Sequence, residues 1–277
     1  MTGDGAPRAK RFPAQWSSHG RSAAPAAAGG TARNPLRPQA LLHQAVQDAA
    51  RHVVPTGLGL DNGPMRERMV ARLRSEGITT ATLLAAFAGV PRHRFVDTAL
   101  AIQAYEDTSL PIGLGQTISK PSVVARQLQW LFGGANASRQ GHLGRTLEIG
   151  SGCGYQTALL ARLAPTVISI ECLQPLHQLA RRNLDAEGVR GVRLVHGDGR
   201  IGHPPNAPYD SIVAAAGGED IPPAWLAQLA PGGRLVAPTA MPGLAGQALV
   251  IVDRTPEGFV RQVGETVTFV PLKSGIA

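Results

Sequence analysis

Apolar and polar positions follow two regimes along the chain. In the first, up to residue 132, three stretches carry apolar residues at helical spacing. Met65, Met69, Val70 and Leu73 line the first, which ends near Gly77. Leu83, Leu84 and Phe87 line the second, with Thr79 or Thr80 placed to cap it. Val124, Leu128 and Leu131 line the third, after Ser119. Between Pro91 and Pro121 there is little periodicity, and an irregular segment is expected. The second regime starts near residue 145, where short apolar runs alternate with helical stripes. The strands are Arg145–Ile149, Val167–Ile170, Val192–Val195 and Ser211–Ala215. Leu159, Leu160 and Leu163 form one intervening stripe; Leu173, Leu176, Ala180 and Leu184, closed by Gly188, form another. Trp225 and Leu226 belong to a short helix, and Pro231-Gly-Gly turns into a strand at Arg234–Val236. Leu249–Val252 and Thr266–Val270 are the last strands. No long helix separates them, so a hairpin and an antiparallel edge are open to them. Strand alternating with helix predicts an α/β fold: a doubly wound, mostly parallel sheet, preceded by helices and ending in an antiparallel edge.

The segment before this pattern has a different composition. Residues 1–34 are low in complexity; the run Ser22-Ala-Ala-Pro-Ala-Ala-Ala-Gly-Gly30 has too little apolar surface to order itself. Leu41, Leu42, Ala45 and Ala49 are compatible with a short helix, but Pro55 and glycines 57, 59 and 63 follow. The folded boundary is set near Asp61, giving a disordered basic extension over 1–60 and one folded domain over 61–277. The chain has a formal charge of +8. Residues 1–60 hold seven Lys/Arg against two Asp/Glu, or +5; the remainder holds twenty against seventeen, or +3. A basic arm suits nucleic acid or an anionic membrane. This one lacks a dense Lys/Arg cluster and has few aromatics to stack on bases, so a solvated tail is expected and nucleic acid is not. Its Arg-, Ser- and Ala-rich, acid-poor composition is shared by transit peptides and by plain disorder.

Composition also narrows the setting. The two cysteines, Cys153 and Cys172, make no disulfide framework and fit a reducing compartment, so a cytoplasmic protein is expected. No apolar run reaches the roughly 18 residues of a membrane span. No His, Cys or Asp grouping has metal-ligand spacing, so no metal is expected.

The sharpest chemical motif is Leu147-Glu-Ile-Gly-Ser-Gly-Cys-Gly-Tyr155, with Gly150, Gly152 and Gly154 after a strand and before a helix. Ligands bind beyond the carboxyl ends of strands in such sheets, and glycine lets them approach the backbone. Dinucleotide enzymes use G-x-G-x-x-G to seat a pyrophosphate on the helix N-terminus. Here the spacing is G-x-G-x-G, and Glu148 precedes it. A carboxylate is a poor neighbour for pyrophosphate and a good one for the cationic methionine end of S-adenosylmethionine. A plain turn packing helix on strand is the other reading of the glycines. Glu171 ends the next strand, 21 residues after Gly150, where an acidic residue can accept ribose hydroxyls. Gly197-Asp-Gly199 ends the third strand: Asp198 can accept from an adenine amino group, with the two glycines clearing space for the ring, though Asp-Gly is also an ordinary turn.

Three separated segments resemble the protein-L-isoaspartate O-methyltransferase family. The first holds Pro91-Arg-His-Arg-Phe-Val96, Ala104-Tyr-Glu-Asp and Leu110-Pro-Ile-Gly-Leu-Gly-Gln-Thr-Ile-Ser-Lys-Pro121. The second is the glycine motif through Gln156. The third runs from His196-Gly-Asp-Gly199 through Gln228-Leu-Ala-Pro-Gly-Gly-Arg-Leu-Val236 to Phe269-Val-Pro-Leu272. The resemblance spans about residues 65–272. Its glycine motif is generic to class I methyltransferases; Gly-Gln-Thr-Ile-Ser and Phe-Val-Pro-Leu are far more specific. Cys153 stands where the family often has Ser or Thr, and Lys120 where Gln or Ala is common. Neither removes a group the chemistry needs.

The resemblance implies a protein-repair enzyme that transfers a methyl group from S-adenosylmethionine to the free α-carboxylate of L-isoaspartyl residues in damaged proteins and peptides. The ester then cyclises to a succinimide, which hydrolyses partly to normal aspartate. Ser119 maps onto the family's key serine and is the expected catalytic residue, with Thr117 and Ile118 completing the carboxylate-binding segment. A bland role for Ser119 is helix N-cap; the two are compatible, because a capping residue sits beside free N–H groups that suit an anion. A monomer is expected. His93 is read as packed or surface. Two other functions use the same fold: a class I methyltransferase acting on RNA or a small molecule, and a non-catalytic cofactor-binding protein. Gly-Gln-Thr-Ile-Ser argues against the first, as does the lack of an aromatic-flanked Asn/Asp-Pro-Pro-Tyr motif. The intact Ser119 and glycine motif argue against the second.

Overall fold

A computed structural model describes residues 63–241 and 246–276. The expected disordered extension, the possible helix around Leu41 and the boundary at Asp61 lie outside the described residues. Three helices open the described chain: α1 (Gly63–Ser75), α2 (Ala81–Gly89) and, after a long insertion, α3 (Pro121–Phe132). Among the residues their spacing marks, they bury Met69 and Leu73, Leu83, Leu84 and Phe87, and Val124, Leu128 and Leu131, while Met65 and Val70 are only partly buried. Thr80 is the N-cap of α2, but its side chain makes no capping hydrogen bond. The turn before α2 is instead tied to α3: Gln129 Oε1 accepts from the Thr80 N–H at 3.2 Å and its Nε2 donates to Thr79 Oγ1 at 3.1 Å.

The insertion differs from the irregular segment expected. It contains two short 3-10 turns, Arg92–Phe95 and Thr98–Gln103, and a two-stranded antiparallel hairpin, β1 (Leu110–Gly113) and β2 (Gln116–Ile118). Its turn, Gly113-Leu-Gly115, holds all three residues at positive φ, with Leu114 at +53°. The strands are too short to print a period-2 pattern.

Among the described residues the main sheet has seven strands. They are β3 (Arg145–Ile149), β4 (Thr166–Glu171), β5 (Val192–His196), β6 (Tyr209–Ala214), β7 (Leu229–Ala240), β8 (Gln247–Thr255) and β9 (Gly258–Val267), in the order β5-β4-β3-β6-β7-β8-β9. The first five run parallel and the last two antiparallel. The chain winds outward from β3 to β5, then returns to the other side of β3 at β6. The switch point therefore lies between β3 and β6, where open α/β sheets bind ligands. Helices α4 (Ala135–Gln140), α5 (Tyr155–Leu163), α6 (Gln174–Ala186) and α7 (Pro223–Gln228) complete the fold.

Three details correct the sequence pattern. Helix α4 was not marked by it. Strand β7 begins at Leu229, so Pro231-Gly-Gly lies inside the strand, with a register irregularity against β6. The last strand is Gly258–Val267, so Phe269 and Val270 lie beyond it and run towards the sheet's ligand edge. The hairpin of β8 and β9 does form, and a bidentate Arg234–Asp253 pair at 2.6 and 2.7 Å fastens β7 to β8.

Side chains divide by strand parity between two cores. Leu147, Ile149, Ile168, Ile170 and Ile212 pack with Trp225 and Leu235 on one face. Val167, Val213, Val236 and Leu249 pack with α1, α2, α3 and α5 residues on the other. That alternation fixes which face each polar strand residue meets.

Candidate functional site

At the carboxyl end of β3 the chain must turn sharply into α5. Gly150, Gly152 and Gly154 adopt φ of +92°, +55° and +89°, a region that side-chain-bearing residues enter at a cost. The turn is pinned from β4: the N–H groups of Gly150 and Ser151 donate to the Ile170 carbonyl at 2.8 and 3.1 Å. Glu171 ends β4 and turns its carboxylate back to the same loop. Its Oε2 accepts from the Gly152 N–H at 2.9 Å and its Oε1 from the Leu173 N–H at 3.0 Å.

Beside this loop opens a cleft enclosing about 780 Å³ of empty space when its open mouth is counted. Its walls come from several separated parts of the chain. The hairpin contributes Ile112, Gln116, Thr117, Ile118 and Ser119. The glycine loop contributes Gly150 to Cys153 with Tyr155 and Gln156; the end of β4 and the turn into α6 contribute Glu171, Cys172 and Leu173. The C-terminal segment contributes Val270 to Lys273. Gly199 also lines it, and a Cβ there would stand 2.6 Å from Ile149 Cγ2. A side chain at this point would force Ile149 to shift.

Of the residues singled out from sequence, Thr117, Ile118, Ser119, Gly150, Gly152, Glu171 and Gly199 share this cleft. Three do not line it. Gly154 faces α6, where a Cβ would meet Leu184 and the Ala180 backbone at 3.2–3.3 Å, so its glycine serves helix packing. Asp198 sits at the rim: its Oδ1 accepts from the Arg200 N–H and its Oδ2 from the Gly275 N–H, both at 2.8 Å. Glu148 points away from the cleft, because strand parity puts it on the face opposite Ile149. It is fully buried, and its Oε2 accepts from Thr157 Oγ at 2.5 Å and Ser169 Oγ at 2.6 Å, while Oε1 has no hydrogen-bond partner among the described residues. Burial pushes its pKa up to about 7, with the two hydroxyls opposing and Glu171 adding to the rise. Glu148 thus braces the loop from below and is not a direct wall of the cleft.

Ser119 follows β2. It is not the cap of α3: Lys120 holds the N-cap position, without a side-chain capping bond. The cap comes from fifteen residues upstream. Asp107 accepts from the Ser122 N–H at 2.9 Å and from Ser122 Oγ at 2.7 Å. The Ser119 hydroxyl is left without a hydrogen bond among the described residues, at the edge of the cleft.

Two further features escaped the sequence pattern. Arg92 is fully buried; its Nε donates to the Ala104 carbonyl and its Nη2 to the Ser119 carbonyl, each at 2.7 Å. Its guanidinium carbon lies 4.8 Å from the Tyr155 ring centroid. An arginine in a loop motif gives no burial signal. The role of Val270-Pro-Leu272 as a wall was also hidden, although the motif they belong to was conspicuous.

A doubly wound sheet with a glycine turn, an acidic strand end and a cleft at the switch point define a class I methyltransferase, which takes S-adenosylmethionine as methyl donor. Residues 64–277 match the family model described as protein-L-isoaspartate(D-aspartate) O-methyltransferase (PCMT), and the chain belongs to that family. A protein-L-isoaspartate O-methyltransferase of Methylibium petroleiphilum is 61% identical over 241 residues, covering 87% of this chain and 88% of its own. A solved protein-L-isoaspartate O-methyltransferase superposes with a TM-score of 0.67 at 27% identity, over 76% of this chain and 67% of its own. A Plasmodium falciparum protein assigned the same activity, solved with S-adenosyl-L-homocysteine, shares the fold at a TM-score of 0.64 and 21% identity, over 75% of this chain and 98% of its own. Among the described residues, no group of three or more His, Cys, Asp or Glu could hold a metal ion. No helix among them is long and apolar enough to cross a membrane.

Proposed function

We propose that the cleft methylates the free α-carboxylate of L-isoaspartyl residues in damaged proteins and peptides, with Ser119 as the residue that receives that carboxylate. One observation carries this: Thr117, Ile118 and Ser119 face the same cleft as Gly150, Gly152 and Glu171. The donor and acceptor sides of a methyl transfer are thus walls of one cavity.

The residues present fit the cofactor. Gly150 and Gly152 leave backbone open to it, and Gly199 clears a flat surface. Glu171 keeps acceptor capacity for ribose hydroxyls beyond its two backbone bonds, since each carboxylate oxygen has two lone pairs. Asp198, at the rim, retains lone pairs for an amino group in the same way. When bound, S-adenosylmethionine supplies the methyl group and a sulfonium leaving group. Glu148 lies beneath the loop and gives the cationic end a negative field when ionised.

The substrate carboxylate is already ionised at neutral pH, so no general base is required. The Ser119 hydroxyl donates to it, and backbone N–H groups of the Thr117–Ser119 segment complete its seat. The protein's contribution is placement: holding two reactants aligned can supply about 7–11 kcal/mol of the barrier. An open cleft walled by a hairpin suits an irregular polypeptide substrate. As part of this proposal the protein acts as a monomer, and its two free cysteines suit the reducing cytoplasm.

The test is tritiated methyl transfer to an isoaspartyl peptide, its normal aspartyl twin and bulk RNA. Base-labile label in the isoaspartyl peptide alone is expected. Label in the RNA, or equal label in the twin peptides, overturns the proposal.

A further inference from the structure

Arg92 is a buried cation with no salt-bridge partner among the described residues. Its Nε and Nη2 donate to neutral backbone carbonyls. Its Nη1 is buried and meets no hydrogen-bond criterion among the described residues, with Tyr155 beside the guanidinium and Asp107 adding a favourable charge interaction. A lone buried charge is expensive, and folded proteins normally pair it. The face of Tyr155 offsets part of that cost. The geometry explains what the charge is positioned to do. One arm grips the carbonyl of Ser119 at 2.7 Å, which fixes the peptide plane that follows the serine. The other holds Ala104, in the same loop as the Asp107 that caps α3. The stacked ring, Tyr155, opens α5 directly after the glycine loop and lines the cleft. One guanidinium therefore joins the substrate side of the cleft to its cofactor side.

We propose that Arg92 is the positioning residue for the substrate carboxylate: it sets the Ser119 peptide by hydrogen bonding and supplies the positive charge that the incoming anion completes. The inference rests on Ser119 receiving the carboxylate. Arg92 is not itself a wall of the cleft, so it acts through Ser119 and through its field. A neutral residue of the same bulk would fill the space without either effect. Lysine would keep the charge and lose the fork that reaches two carbonyls at once.

The variants are Arg92→Lys, Arg92→Met and Arg92→Ala, each in the full chain. Calorimetry reads S-adenosylhomocysteine affinity, and steady-state kinetics read kcat and KM for an isoaspartyl peptide. Affinity for S-adenosylhomocysteine should stay within about three-fold in all three. Losing a hydrogen bond to a charged group corresponds to about a 10- to 150-fold effect. For Arg92→Met, kcat/KM should fall towards the upper end of that range, and for Arg92→Lys towards the lower. Ethylguanidinium should restore part of the Arg92→Ala activity, and ethylammonium should restore less. Parallel loss of cofactor affinity and kcat/KM would make Arg92 a purely structural strut and overturn the proposal. So would unchanged kinetics in Arg92→Lys together with equal rescue by both cations. If the Met and Ala variants fail to fold, Arg92→Lys still decides the tether by its kcat/KM at constant cofactor affinity. Absence of isoaspartyl methylation by the unaltered protein would instead count against the functional proposal.

Discussion

The Glu171 carboxylate accepts the backbone N–H of Gly152 at 2.9 Å, so the acidic end of β4 and the glycine turn after β3 form one unit. Its other oxygen takes the Leu173 N–H at the start of α6. A side chain placed to meet ribose hydroxyls therefore also shapes the loop that approaches the rest of the cofactor.

Glu171→Ala removes both functions. A lost hydrogen bond to a charged group costs roughly 1.5–3 kcal/mol. Affinity for S-adenosylmethionine should fall by about one to two orders of magnitude, as read by calorimetry. Unchanged affinity would remove Glu171 from the cofactor site.

Ser119→Ala should leave both fold and cofactor binding nearly intact, because the hydroxyl makes no hydrogen bond among the described residues and does not cap α3. The kcat/KM for an isoaspartyl peptide should fall about 10- to 150-fold, the value of one donor to a charged acceptor. A melting curve taken on the same sample should not move. If it drops while specific activity holds, substrate binding belongs to backbone donors of the loop.

Asp107→Ala tests the distant cap. Losing a capping side chain costs about 0.5–2 kcal/mol. The melting temperature should fall, while cofactor affinity per folded molecule should change little. A Ser122→Ala variant should reproduce part of the loss, since Asp107 would keep the Ser122 N–H and lose the hydroxyl.

Glu148 makes the fold pH-sensitive. Its pKa is raised from 4.5 to about 7, so the folded state binds its proton more tightly than the unfolded state does. Stability from this group is therefore fully present below about pH 4.5 and is lost as pH rises towards 7. At about 1.4 kcal/mol per unit the loss is on the order of 3 kcal/mol. Glu148→Gln has no such titration. Denaturant unfolding of the two cofactor-free proteins from pH 5 to 8 should show the variant gaining on the parent as pH rises. A constant difference across that range would mean that Glu148 does not titrate there.

Deleting residues 1–60 should leave methyl transfer to a short peptide nearly unchanged, since the family match begins at residue 64. Kinetics of the folded truncation give the check, and a large fall in turnover would assign the extension a part in the site.

Much of this was written in local sequence. Strands β3 to β6 appear as apolar runs because both faces of a parallel sheet are covered, and α1, α2, α3, α5 and α6 appear as stripes because one side of each is buried. The glycine turn and Glu171 were legible because a fixed backbone path demands particular residues at particular spacings. Glu148 could have been placed as well: it stands between Leu147 and Ile149, so parity sends it to the opposite face. Its distance from the cleft is a consequence of the pleat.

Other features existed only in three dimensions. The hairpin of β1 and β2 has strands of four and three residues, too short for periodicity to register. The cap of α3 comes from Asp107, fifteen residues before Ser122, where local capping rules do not reach. Arg92 looks like a surface cation until the Ala104 and Ser119 carbonyls and the Tyr155 ring close round it. Sequence by itself determined the elements, their order and the cofactor loop, because hydrophobic period and glycine dihedrals are local properties. Only tertiary structure decided which polar groups meet, because burial and hydrogen-bond partnership depend on segments brought together by the sheet.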